Sequence, residues 1–222
     1  MSEIMENEIK NLKKMVSEIS TKVEENLNNS IAALNDSNLD LANQVISSDI
    51  EIDSIEIHIE ELCHKILALY QPVAIDLRYI IAVLKINNDL ERIGDLACNI
   101  SKVVILLSEN SKISISDEMS KMGSIVSKML NDSLDALFNK NVETAIAVQK
   151  MDDKVDSINH DMHNLIQTKI SNDSKDPVSL MKLLSVSRYL ERIADHCTNI
   201  CEDVEYFIDG QITRHHLNQD DN

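Results

Sequence analysis

Residues 89–100 read DLERIGDLACNI, and residues 189–200 read YLERIADHCTNI. Seven of the twelve aligned positions are identical: Leu, Glu, Arg, Ile, Asp, Asn and Ile. Unrelated segments would share about one. The block returns after 100 residues, close to half of a 222-residue chain. Internal duplication explains both facts, so whatever the block does is done twice.

The rest of the chain offers little that breaks a helix. It holds 3 Gly, 2 Pro and no Trp, and aromatic residues make up 3%. Ile and Leu lead the apolar residues, and Ser, Asn, Asp and Glu lead the polar ones. This composition predicts an all-α protein. The few turn signals are therefore informative. They are the polar run Asn35 to Asn38, Gln71-Pro72, the serine-rich stretch Glu109 to Ser116, Asn139 to Asn141, and Ser171 to Asp176. Asp176-Pro177 reads as an N-cap followed by proline at the first helical position, and Gly210 reads as a helix stop. Pro72 is expected to open a helix in the same way.

These signals predict six helices, at about 5–34, 38–70, 73–109, 117–138, 141–171 and 177–209. Short turns between long helices make neighbours antiparallel. Apolar residues step by three and four along the second helix, at Ile52, Ile55, Ile59, Leu62, Ile66 and Leu69. They do so again along the fifth, at Val148, Met151, Val155, Ile158, Met162 and Leu165. Such stripes are bundle seams. The expected architecture is a tandem repeat of two antiparallel three-helix bundles, over 1–110 and 111–212, with a polar tail at 213–222.

Net charge is −17, which keeps helix surfaces soluble and disfavours nucleic acid as a partner. A basic protein or a metal cation suits such a surface better. The first residues, MSEIMENEIKNLKK, do not read as a signal peptide. No apolar run approaches the ~20 residues of a membrane span. A soluble cytoplasmic protein is expected. Cys63, Cys98, Cys197 and Cys201 lie inside helical segments without Cys-x-x-Cys spacing and read as reduced core residues.

Within the block, Glu91, Asp95 and Asn99 are spaced by four, as are Glu191, Asp195 and Asn199. Residues i and i+4 share a helix face, about 5–6 Å apart. The preceding helices carry Asp49 and Asp53 in the first half, and Asp152 and Asp156 in the second. Each bundle then sets a D-x-x-x-D line against an E-x-x-x-D line. Seven acidic i, i+4 pairs occur in all, about what 38 acids in 222 residues give by chance, so only the matched placement is informative. Arg92 and Arg192, at i+1, are expected to point away from their own glutamates. Four carboxylates in one place repel unless a positive charge sits among them. Oxygen-only ligands suit hard ions such as Fe³⁺, Mn²⁺, Mg²⁺ or Ca²⁺. The bland alternative is a solvated acidic face.

The histidines carry less. His196 follows Asp195 and points off its line. His160, His163 and the lone Glu61-x-x-His64 read as surface or core residues. No nucleophile elbow or glycine-rich phosphate loop is present, so any enzyme would have to be a metalloenzyme.

At these residues the sequence resembles the PhoU family of phosphate-transport regulators. One signature runs from Pro72 through Asp76-Leu77-Arg78 to Asn88-Asp89-Leu90-Glu91-Arg92-Ile93-Gly94-Asp95. The other runs from Arg188-Tyr189-Leu190-Glu191-Arg192-Ile193-Ala194-Asp195-His196 to Asn199, Ile200 and Glu202. The resemblance implies two three-helix bundles, a homodimer and a cytoplasmic location. It implies a non-enzymatic negative regulator linking a phosphate ABC transporter ATPase to a sensor histidine kinase. It implies metal ions (iron, manganese, zinc or magnesium) at Asp49, Asp53, Glu91, Asp95, Asp152, Asp156, Glu191 and Asp195, with Asn99 and Asn199 as further candidates. Two departures stand out. Arg78 is matched by Val178, and Cys197 and Cys201 place thiols near the second site where the first has only Cys98. Three other readings remain open: a metal-binding helical scaffold for another transporter, a metal-free helical scaffold with solvated acid lines, and a di-metal carboxylate enzyme, which lacks the paired E-x-x-H motifs it needs.

Overall fold

The computed structural model describes residues 3–110, 115–172 and 176–210. Among the described residues there are six α-helices: α1 Glu3–Asp36, α2 Leu39–Tyr70, α3 Ala74–Asn110, α4 Asp117–Asn139, α5 Val142–Ser171 and α6 Pro177–Asp209. Each boundary falls within two residues of its expected place. The centre of the expected linker Glu109 to Ser116, part of the Ser171 to Asp176 loop, and the tail 213–222 lie outside the described residues.

The helix ends follow their capping chemistry. Asn38 and Asn141 accept the Leu41 and Thr144 amides, each at 3.1 Å. Ser37 and Lys140 take φ 53° and 54°, and the Asn38 and Asn141 amides each reach back 3.0 Å to the carbonyls of Ala33 and Ala136. That closure is the Schellman pattern. Ser30 and Ser133, both fully buried, each bond a carbonyl three residues back at 2.8 Å. The duplication therefore extends from the signature block to turn and core details of the α1–α2 and α4–α5 hairpins.

Two expectations need correcting. Pro72 does not open α3. Gln71 closes α2 with φ 47°, and Ala74 takes φ 51°, so the helical path restarts only after Pro72, which is buried in the turn. Leu69 and Leu165 do not belong to the seams, being 66% and 38% exposed. With 3.6 residues per turn the stripe drifts, so it continues from Leu62 and Ile66 to Tyr70, and from Met162 to Ile166.

Helices α1–α3 pack on one another, as do α4–α6, and α3 also packs along α6. One continuous apolar cluster runs through both halves. Helices α3 and α6 are antiparallel. Arg78 Nε donates to the Phe207 carbonyl at 3.3 Å, Lys85 Nζ meets Asp203 Oδ1 at 2.8 Å, and Asp89 Oδ1 meets His196 Nδ1 at 2.7 Å. Numbers rise along α3 as they fall along α6. Continuing this register sets Ile93 opposite Ile193, both fully buried. The duplicated block thus straddles a pseudo-two-fold axis between the halves. No described helix is long and apolar enough to cross a membrane.

Candidate functional site

The two acid lines of each half meet across a helix pair. On the first side, α2 lays Asp49 and Asp53 against Glu91 and Asp95 of α3. Gly94 permits the close approach: a Cβ there would stand 3.3 Å from Ile52 Cδ1 and 3.5 Å from Asp49 Oδ1. Burial pushes the Asp49 carboxyl up from its ordinary range. A hydrogen bond with the Cys98 thiol opposes this, Asp53 and Asp95 add to it, and Lys102 opposes it. Glu91 is also raised, by burial first and then by Asp95, with Asp53 and Glu56 adding and Arg92 opposing.

On the second side, α5 lays Asp152 and Asp156 against Glu191 and Asp195 of α6. Burial, then Asp156, Asp195, Asp153 and Glu191, push the Asp152 carboxyl up to about 6. Glu191 is raised by burial, then by Asp195 and Asp156, against Arg188 and Arg192. Asp195 is raised by burial and then by Asp156, against His196 and Arg192.

All eight carboxylates expected from the sequence therefore fall into two groups of four, each within one electrostatic neighbourhood. They are not closed into chelating sets. Among the described residues, no three His, Cys, Asp or Glu side chains are grouped to hold a metal ion. Asp53 and Asp156 face solvent. The amides behave differently. Asn199 Nδ2 donates to Asp89 Oδ1 at 3.4 Å, across the α3–α6 seam, and Asn99 is half-buried. His160, His163, Glu61 and His64 are exposed.

Arg92 does not point away, as its position suggested. Its long side chain curls back along α3, with Nε 3.4 Å from Glu91 Oε2 and Nη1 3.5 Å from Asp95 Oδ2. Half-exposed and long, these pairs neutralise little.

The sites differ where the repeats differ. Cys98 and Lys102 serve Asp49, but the matching positions hold Thr198 and Glu202. Thr198 Oγ1 instead donates to the Asp195 carbonyl at 2.7 Å. Asp152 Oδ1 is buried without a hydrogen-bond partner. A buried, unsatisfied carboxylate oxygen among three other acids suits a hard cation. On that observation the chemistry of the donor set fits a hard metal ion, although the side chains are not gathered around one point. Sequence reasoning missed the parts played by Asp89, Cys98 and Lys102. Their one signal was a place in or just beyond the duplicated block.

Fold and site together define an all-α protein of two fused three-helix bundles, each with facing acid lines. A family model described as "PhoU domain" matches twice, over residues 16–104 and 119–204. The chain is 36% identical, over 93% of its length and 89% of the relative's, to the phosphate-specific transport system accessory protein PhoU homolog 1 of Thermotoga maritima. Its fold matches the crystal structure of PhoU from Pseudomonas aeruginosa with TM-score 0.90 and 33% identity, covering 93% of this chain and 99% of that one. It matches the phosphate transport system regulatory protein PhoU from Streptococcus pneumoniae with TM-score 0.87 and 27% identity, covering 95% and 100%. The chain belongs to the PhoU family.

Proposed function

We propose that this chain regulates phosphate uptake and phosphate-starvation signalling as a cytoplasmic, non-enzymatic adaptor. It acts as a homodimer between the ATPase of a phosphate ABC transporter and a sensor histidine kinase. The supporting observation is the double family match, which covers both repeats and includes relatives named as accessory proteins of phosphate-specific transport. Deleting the gene tests it: phosphate-repressed genes should be expressed at high phosphate, and the tagged chain should co-purify with the transporter ATPase. Normal repression together with no co-purification would remove the reading.

Metal binding is the second part of the proposal. Asp49, Asp53, Glu91 and Asp95 would hold one ion or cluster, and Asp152, Asp156, Glu191 and Asp195 the other. The bound cation would neutralise the acids and brace α2 on α3 and α5 on α6. The residues themselves supply a half-buried ledge of oxygens, with Ile52 and Val155 packed beneath the α2 and α5 lines. Metal analysis of the purified protein, beside Asp95→Ala and Asp195→Ala, tests this part. One observation favours a metal-free scaffold instead: no chelating group is closed among the described residues. Equal metal content in the wild type and both variants would decide for the scaffold.

A further inference from the structure

The chain has few aromatic residues, yet three of them meet at one end of the molecule. Tyr79 of α3 and Phe207 of α6 pack edge to face, with ring centroids 5.3 Å apart and planes at 61°. Phe138, near the end of α4, stands beside them 47% exposed. They border a cavity of about 130 Å³, with Lys13, Leu137 and Lys140 also lining it. That volume exceeds a water molecule's share of about 30 Å³ and falls short of the roughly 300 Å³ of a drug-sized ligand site. It is the size for one apolar side chain.

The rim is cationic. Lys13 Nζ lies 5.5 Å from the Tyr79 ring centroid, and Lys140 Nζ lies 5.4 Å from that of Phe207. Among the described residues neither ammonium group has a carboxylate partner. In a chain of net charge −17, two such cations at one mouth are unexpected. Arg78 stands close by without lining the cavity. Its Nε donates to the Phe207 carbonyl, and its guanidinium lies against the Gly210 backbone.

The fold does not require this arrangement. At the symmetry-related end, Lys13, Tyr79 and Phe207 are matched by Ser116, Ser179 and Leu107, while Phe138 and Lys140 are matched by Asn35 and Ser37. These five matched positions, all among the described residues, carry no aromatic or cationic side chain. The asymmetry therefore belongs to one end of the molecule, which both repeats build, and an apolar socket flanked by two cations is complementary to a carboxylate-flanked apolar residue.

We infer that this end of the molecule is a docking socket for a segment of a partner protein. The segment carries one aromatic or large aliphatic anchor with aspartate or glutamate on both sides. The anchor fills the cavity between Tyr79, Leu137 and Phe138, and its flanking carboxylates meet Lys13 and Lys140. The inference rests on the adaptor reading and gives it a contact surface. The two fail separately, because a peptide assay needs no knowledge of the partner and the co-purification above needs no knowledge of the socket.

The test uses the full chain and a fluorescein-labelled peptide with a single phenylalanine flanked by aspartates and glutamates. Fluorescence anisotropy should show saturable binding. Lys13→Ala with Lys140→Ala should weaken it roughly tenfold or more, as should replacing the peptide's phenylalanine by serine. Lys150→Ala, on the exposed side of α5, should leave it unchanged, and circular dichroism should show every variant folded. Four results would overturn the inference: no saturable binding, equal binding of the serine peptide, equal binding of a peptide with amides in place of carboxylates, or displacement by inorganic phosphate alone at equal strength.

Discussion

His196 of α6 and Asp89 of α3 share a hydrogen bond, Nδ1 to Oδ1 at 2.7 Å, with the two side chains only 17% and 13% exposed. The pair ties one half of the molecule to the other beside the pseudo-two-fold axis. The related positions on the opposite side of the axis hold Leu96, which is buried, and Tyr189, which packs on the core. One interface thus carries a polar tie at a pair of positions whose related pair is Leu96 and Tyr189.

That tie should be measurable. Asp89→Ala leaves the His196 ring and the Asn199 amide without their shared acceptor. A loss of about 1.5–3 kcal/mol is expected, the range for a hydrogen bond to a charged group. Urea unfolding of Asp89→Ala, His196→Ala and the double variant gives the coupling energy. Strictly additive losses would show that the contact contributes nothing as a pair.

The acids of the second site should destabilise the chain when no cation is present. Asp152→Asn removes one charge from four and should raise Tm in chelator by about 2–4 °C, the shift that ~1 kcal/mol gives in a chain of this size. The same variant should lose cation-induced stabilisation. Differential scanning calorimetry with and without added Mn²⁺ measures both. An unchanged Tm in chelator would mean that the carboxylates do not repel one another appreciably.

Stability in chelator should also depend on pH. Asp152 titrates near 6 in the folded chain against 3.8 for an ordinary aspartate. Between these values the folded state holds a proton that the unfolded state has released. Its stabilising contribution is complete below the lower value and is lost as pH rises through about 6. Asp49, Glu91, Glu191 and Asp195 are raised and act in the same direction. Urea midpoints of the chelated protein should therefore fall from pH 4.5 to pH 7, and less steeply in Asp152→Asn. A midpoint that rises over this range contradicts the assignment.

The continuous core makes the halves one cooperative unit. Ile93→Ala and Ile193→Ala each empty a fully buried site at the axis and should cost about 2–5 kcal/mol. Each variant should still unfold in one transition, because the damaged surface belongs to both halves. Two resolved transitions in either variant would show the bundles folding independently.

The four cysteines are buried, and burial raises Cys63 to about 12 and Cys197 well above the ordinary thiol range. The folded chain should be inert to thiol reagents at pH 8 and should react fully in denaturant. Rapid reaction of the folded protein would place at least one thiol at the surface.

The sequence by itself determined six helices, their limits and the duplication. Those depend on local signals: a proline or asparagine at a helix start, a left-handed residue at its end, and apolar stripes of helical period. It also named the eight carboxylates, because an i, i+4 spacing fixes which groups share a face. Tertiary structure decided what lay across from each face. Cys98 and Lys102 offset Asp49 while Asp152 goes without, Asn199 turns to Asp89, Arg92 curls back, and Lys13 and Lys140 converge on rings from distant helices. The reason is physical: spacing along one helix is set by its own geometry, whereas the partner across a seam depends on the register at which two helices pack. That register comes from the whole core at once.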